Sequence, residues 1–298
     1  MSVALVTDST ASIPPRVAAG AGITVVPLQV VIGATAYDEG VDDGVTPAML
    51  AEALKAWTPV STSRPNPEAM LDVYERLAAE GATAIVSVHI SAELSGTFES
   101  AQLAARRAPV PVLPVDSRQV GMGTGFAVLA AADAIRSGAG SDQVARAAAQ
   151  RAAATTSLFY VDTLEYLRRG GRMGAAAALL GSALAVKPIL RVEDGRVGPF
   201  ERVRTSGKAL TRLEELAVEV AEAGGVDGLE GDDGVDVAVA HLASPDRAEQ
   251  LAERLGDRLG HRLGDREVQL GEIGAVLGAH VGPGMVAVCV APRLRGAT

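Results

Sequence analysis

Apolar runs of four to six residues, rich in valine and isoleucine, recur at 3–6, 23–26, 84–89, 110–115 and 158–161, and the stretches between them carry hydrophobic residues at helical spacing. Strand-length runs alternating with helix-length segments predict βαβ units around a mostly parallel sheet. Several helices have start signals: Thr46 before Pro47, Asn66 before Pro67, Ser141 before Asp142 and Ser244 before Pro245. A short polar side chain there is placed to cap free amides, and a following proline supplies a first-turn φ without wasting a donor.

The pattern changes near residue 157. Val192-Glu193-Asp194-Gly195-Arg196-Val197 signals a hairpin, because Asp-Gly readily takes the two positive φ angles of a type I′ turn. Strands at 236–242, 267–273 and 285–290, with helices at about 207–223 and 245–260, complete a mixed-sheet unit. The fold class expected is therefore α/β in two domains: residues 1–157 with a mostly parallel sheet flanked by helices, and residues 158–298 with a mixed sheet and helices. The length of 298 residues agrees, since single domains usually run to ~100–200. The Gly/Asp-rich stretch 224–234 reads as an exposed loop. Residues 273–292 are uncharged and long enough for a membrane span, but Gly274, Gly278, His280, Gly282, Pro283 and Gly284 interrupt them. A short helix, a Gly-Pro-Gly turn and a strand fit better, so no stable membrane insertion is expected.

Aromatic residues make up only 3% of a chain that is 48% hydrophobic, so its interior must be built from Ala, Val, Leu and Ile. The formal charge of −9 argues against general affinity for nucleic acid. That charge is uneven: residues 168–212 hold ten basic and three acidic side chains, a local +7 that leaves −16 on the rest. The block is either a docking face for an acidic partner or a surface balanced across the fold. The single cysteine, Cys289, rules out an internal disulfide and reads as a buried inert thiol. With Asp8 interrupting the first apolar run, no export signal is read, and a cytoplasmic location is expected.

Catalytic motifs mostly fail. Gly121-Met122-Gly123-Thr124-Gly125-Phe126 lacks the third glycine of a dinucleotide fingerprint, and Gly207-Lys208 lacks the rest of a P-loop. Ser95 is flanked by Glu93 and Thr97 where a nucleophile elbow has glycines. The four histidines show no metal-binding spacing. No catalytic residue, metal or cofactor is expected. What survives is oxyanion recognition. Ser95, Gly96 and Thr97 fall where a strand passes into a helix, where free amides and the helix dipole favour an anion. Thr62 and Ser63 add hydroxyls, His280 sits among glycines that allow close approach, and Arg172 follows a Gly-Gly turn at a pocket mouth or a partner interface. Singly, each hydroxyl reads more readily as an N-cap and His280 equally as a core histidine; the combination points to a ligand.

Taken in order, Thr7-Asp8-Ser9-Thr10, Thr62-Ser63-Arg64-Pro65, Leu94-Ser95-Gly96-Thr97, Asp116-Ser117, residues 164–172, Lys187-Pro188-Ile189-Leu190, residues 202–208 and residues 278–284 resemble the DegV family of bacterial fatty-acid-binding proteins. That family includes the acyl-carrying subunit of fatty acid kinase. The resemblance spans essentially the whole chain and implies one long-chain fatty acid buried in an apolar pocket. It implies that Thr62 and Ser95 hold the carboxylate, with His280 beside them and Arg172 at the pocket side. Arg202, with Arg204 and Lys208, falls where the ATP-dependent kinase subunit is expected to dock. Arg64, Ala92 and Phe98 depart from the glutamine, serine and tyrosine more usual there. Two other readings remain open: a stand-alone sensor or carrier of a carboxylate or lipid, and an acyl hydrolase using Ser95 and His280.

Overall fold

A computed structural model describes residues 2–41, 44–179, 187–223 and 231–294. The first half alternates as expected: β1 (Val3–Asp8), α1 (Pro15–Gly20) and β2 (Ile23–Val26) come first. Next are β3 (Gln29–Ile32), β4 (Thr35–Asp38), α2 (Pro47–Lys55), β5 (Val60–Ser63) and α3 (Pro67–Ala79). β6 (Ala84–His89), α4 (Thr97–Ala105), β7 (Val112–Asp116), α5 (Met122–Arg136) and α6 (Ser141–Ala154) follow. Thr46 and Asn66 cap α2 and α3 through their side chains. At α6 the N-cap is Gly140, whose amide is taken by Gln143 rather than by Ser141.

Strands β2-β1-β6-β7 form a parallel sheet. Successive side chains alternate between its faces. Leu5, Val86 and Val88 pack on the alanine-rich faces of α5 and α6, whereas Val6 and Ile85 pack on Met70, Tyr74 and Leu77 of α3. Every residue of β6 is buried, as befits a parallel strand covered on both sides. Two of the glycines of 121–125 serve packing: a Cβ on Gly123 would stand 2.7 Å from Ser157 Oγ, and one on Gly125 would stand 2.6 Å from the Ala11 carbonyl.

The mostly parallel sheet expected of this half is present, and strands β4-β3-β5 add a small antiparallel sheet beside it, with Thr62 and Ser63 on β5. Val30, with Ile32, Tyr37 and Val60 beside it, packs this small sheet into a core shared with the second half.

That half contains β8 (Thr156–Tyr160), α7 (Glu165–Arg169), β9 (Lys187–Glu193), β10 (Arg196–Val203) and α8 (Ser206–Glu222). β11 (Gly231–His241), α9 (Pro245–Leu263), β12 (Gln269–Glu272), α10 (Ala275–Val281) and β13 (Val286–Leu294) complete it. A mixed sheet in the order β10-β9-β8-β13-β11-β12 results. The β9–β10 hairpin forms as read, with φ of 51° at Asp194 and 78° at Gly195. Residues 231–234, read as loop, belong to β11, while 224–230 lie outside the described residues. Leu251, Leu255 and Leu259 of α9 recur at helical spacing and, with Leu213 of α8, cover one face of this sheet. The other face carries Phe159, Leu190, Val192 and Met285, which meet Leu28, Val30, Leu50 and Leu54 from the first half in one continuous core.

Candidate functional site

In the parallel sheet the winding reverses between β1 and β6. Open α/β sheets bind ligands beyond the carboxyl ends of their strands at such a point. The chain leaves β1 through Thr10 and β6 through Ile90, and both residues line a cavity of about 410 Å³. That size falls within the ~300–1,000 Å³ of small-molecule pockets. Its walls are largely aliphatic, with Leu28, Val192, Val197, Ile273, Val276 and Leu277 among them. Ala240, Ala287 and Cys289, small residues on the inner face of the mixed sheet, make room for it.

The polar groups gather at one end. Thr62, Ser63, Ser95, Gly96, Arg172 and His280 all line the cavity, although they come from four separate segments of the chain. Thr62 Oγ1 lies 2.9 Å from His280 Nε2, a pairing across 218 residues. Ser95 Oγ lies 2.8 Å from Thr97 Oγ1 and accepts from the Thr97 amide at 3.4 Å. Thr97 is fully buried and does not line the cavity, so its part is to orient Ser95. Ser63 is exposed and donates to Gln29 Oε1 at 3.3 Å, which turns its hydroxyl along the sheet.

Arg172 Nε donates to the Leu94 carbonyl at 3.1 Å and its Nη1 to the Gly170 carbonyl at 2.5 Å, tying two loops together while placing positive charge beside the hydroxyls. Burial, helped by that charge, pulls the His280 pKa down from 6.5 to about 4, so the imidazole is neutral near pH 7. Its Nδ1 is buried without a partner. Gly170 permits this placement, because a Cβ there would stand 2.1 Å from Nδ1. Arg64 lies across Gly96 and pairs with Glu99 at 2.5 Å, forming part of the cavity wall on the solvent side. With two hydroxyls, a neutral imidazole, a guanidinium and the start of α4, this end is built to receive an anion.

Ser95 and His280 are hydrogen-bonded to Thr97 and Thr62 respectively, not to each other, so no nucleophile–base pair is formed. Sequence reasoning missed a buried chain in which Tyr74 donates to Ser87 at 2.9 Å, Ser87 meets His89 at 2.7 Å and His89 meets Asp8 at 2.9 Å. It has the order of a catalytic triad, but all four side chains are fully buried, and Asp8 ends it by accepting from Thr10 at the cavity wall. The tip of the β9–β10 hairpin makes a contact that local spacing does not signal, closing on the loop after β6: Ser91 Oγ donates to the Gly195 carbonyl at 2.7 Å, and Arg196 pairs with Glu93. Much of the +7 block is neutralised in place, Arg168 and Arg169 by Glu165 and Arg212 by Glu201, Glu215 and Glu219. Arg202, Arg204 and Lys208 are exposed, and among the described residues none has an acidic partner within salt-bridge distance. They lie away from the cavity wall. Among the described residues no cluster of His, Cys, Asp and Glu could hold a metal, and no helix is long and apolar enough to cross a membrane.

The two halves of the chain thus share one core and enclose an apolar cavity whose polar groups gather at one end. The chain belongs to the DegV family, whose sequence model matches residues 2–293. It is 53% identical over 291 residues to a DegV domain-containing protein of Streptomyces coelicolor, covering 98% of this chain and 99% of that one. Among solved structures it resembles a fatty-acid-binding DegV family protein from Thermus thermophilus, with a TM-score of 0.87, 31% identity, and coverage of 98% of this chain and 100% of that one. It also resembles DegV, a fatty acid binding protein from Bacillus subtilis, with a TM-score of 0.86, 33% identity and the same coverage.

Proposed function

We propose that this protein binds one long-chain fatty acid in the cavity and presents its carboxylate to a separate ATP-dependent kinase subunit, which converts it to an acyl phosphate. The observation that carries the first step is the union of an aliphatic cavity with Thr62, Ser95, His280 and Arg172 at one end. Each buried CH₂ contributes ~0.8 kcal/mol, so the tail supplies affinity. The carboxylate, costly to bury unpaired, takes its donors from Thr62 and Ser95 and its counter-charge from Arg172. On this reading the protein needs no cofactor, has no catalysis of its own and works in the cytoplasm. Residues 1–157 and 158–298 act as two domains with the ligand held between them.

Docking of the kinase is supported by Arg202, Arg204 and Lys208, exposed cations without an acidic partner among the described residues. The first test compares the native mass of gently purified protein with that of the denatured chain. An excess matching a fatty acid is expected, and a clean mass that stays unchanged on adding fatty acids would refute the binding step. For the second step, reversing the charge at Arg202, Arg204 and Lys208 together should abolish kinase-dependent phosphorylation while leaving fatty acid affinity intact. Undiminished phosphorylation would refute that docking face.

A further inference from the structure

The geometry points to Glu39 as a positioning residue that sets His280 against Thr62 by gripping the start of the helix that carries the imidazole. This rests on the reading of the cavity's polar end as a carboxylate site.

Glu39 follows β4 and is 7% exposed. Its amide donates to the Leu28 carbonyl at 2.9 Å and it bridges Val45, so its backbone continues the small sheet that holds Thr62. Its side chain crosses to the second half of the chain, where Oε1 accepts from the Val276 amide at 2.8 Å, 237 residues away in sequence. The Ala275 amide lies beside the same carboxylate. First-turn amides have no partners within their own helix, and a carboxylate there is favoured by the helix dipole. Gly274 leaves room for it, since a Cβ at that position would stand 2.2 Å from Glu39 Oε1.

The same sheet holds α10 at its other end through Thr62 and His280. Val30 of β3 pairs with Tyr37 on one side and with Thr62 on the other, so the two grips share one rigid support. Val276 and His280 are about 6 Å apart along the helix axis. Glu39 therefore fixes both where α10 begins and how it is turned.

Burial raises the pKa of Glu39, with the Asp8 charge adding to the effect and the Ser9 hydroxyl and the two amides opposing it. Loss of this carboxylate leaves the Val276 amide without this acceptor and frees α10 to turn, which takes the imidazole off Thr62 and toward water.

The test follows the His280 ring by nitrogen-15 NMR in ligand-free protein, assigned by difference from His280→Gln, together with binding of cis-parinaric acid. In Glu39→Ala the His280 pKa should rise by about one unit or more from about 4 toward its ordinary 6.5. Binding of cis-parinaric acid should weaken about tenfold, equivalent to ~1.4 kcal/mol. Glu39→Gln keeps an acceptor oxygen and should restore both readings. Leu251→Ala, in the core beneath α9, should lower the melting temperature without moving the His280 titration. If Glu39→Ala does not fold, Glu39→Asp, which withdraws the oxygen by one methylene, takes its place with the same expectation. A folded variant whose His280 titration matches the parent overturns the positioning role, whatever happens to binding. A titration that moves in a protein whose parent fails to bind cis-parinaric acid upholds that role and refutes the fatty-acid reading instead.

Discussion

At the polar end of the cavity each hydroxyl has a single proton, and where that proton goes decides what the site can hold. When Thr97 is the donor in its pair with Ser95, the Ser95 proton is free for a ligand oxygen. When His280 carries its proton on Nε2 and donates to Thr62, the Thr62 proton is free as well. Removing either hydroxyl takes a hydrogen bond from a charged group, worth ~1.5–3 kcal/mol. Thr62→Ala and Ser95→Ala should therefore each weaken fatty acid affinity by roughly ten- to a hundredfold, measured by displacement of a fluorescent analogue. His280 adds a pH dependence. Its pKa is about 4 in the folded protein against an ordinary value of 6.5. Between those values the unfolded chain binds more protons, so its contribution is intact above pH 6.5 and is lost as the pH falls toward 4. The full loss is ~3 kcal/mol. The melting temperature should drop across that window, and the drop should be smaller in His280→Gln.

Among the elements, α7 and α10 are short and gain definition from what they touch. Gly170, just after α7, lets the His280 ring lie against backbone. Gly170→Ala should displace the imidazole and weaken ligand binding about tenfold, with a smaller effect on the melting temperature. The hairpin turn behaves likewise: Gly195 has a positive φ of 78°, and a Cβ there would stand 2.5 Å from Ser91 Oγ. Gly195→Ala should destabilise the fold by ~1–3 kcal/mol in chemical denaturation, by strain and by loss of the Ser91 bond. The longer elements were legible for a different reason. α3, α8 and α9 repeat hydrophobic residues over 13 to 19 positions, enough to declare both period and face. Strands β3, β4 and β5 have four residues each and showed no such signal, so the sheet that carries Thr62 went unread.

Across the whole molecule, the two halves of the chain are joined by a shared core and by buried polar bonds. Arg151 of α6 pairs with Asp236 of β11, both nearly buried, and Arg266 also meets Asp236. Arg151→Ala leaves Asp236 with Arg266 as its remaining cation and should lower the unfolding free energy by ~1.5–3 kcal/mol. The positive block illustrates the gap between composition and surface. Counting along the chain gave +7, but acidic residues from inside and outside the block neutralise several of those cations, leaving Arg202, Arg204 and Lys208 exposed without an acidic partner among the described residues.

The sequence by itself determined the alternation of strands and helices, the β9–β10 turn and the short helix before the Gly-Pro-Gly turn, because periodicity, caps and turn residues act over a few neighbouring positions. It also supplied the residue types at the polar end of the cavity. Only the tertiary structure decided that Thr62 meets His280 across 218 residues, that Thr97 faces Ser95 rather than the cavity, and that Glu39 reaches the start of α10. Those pairings depend on how the sheets stack and where burial removes water, and neither is written in local spacing.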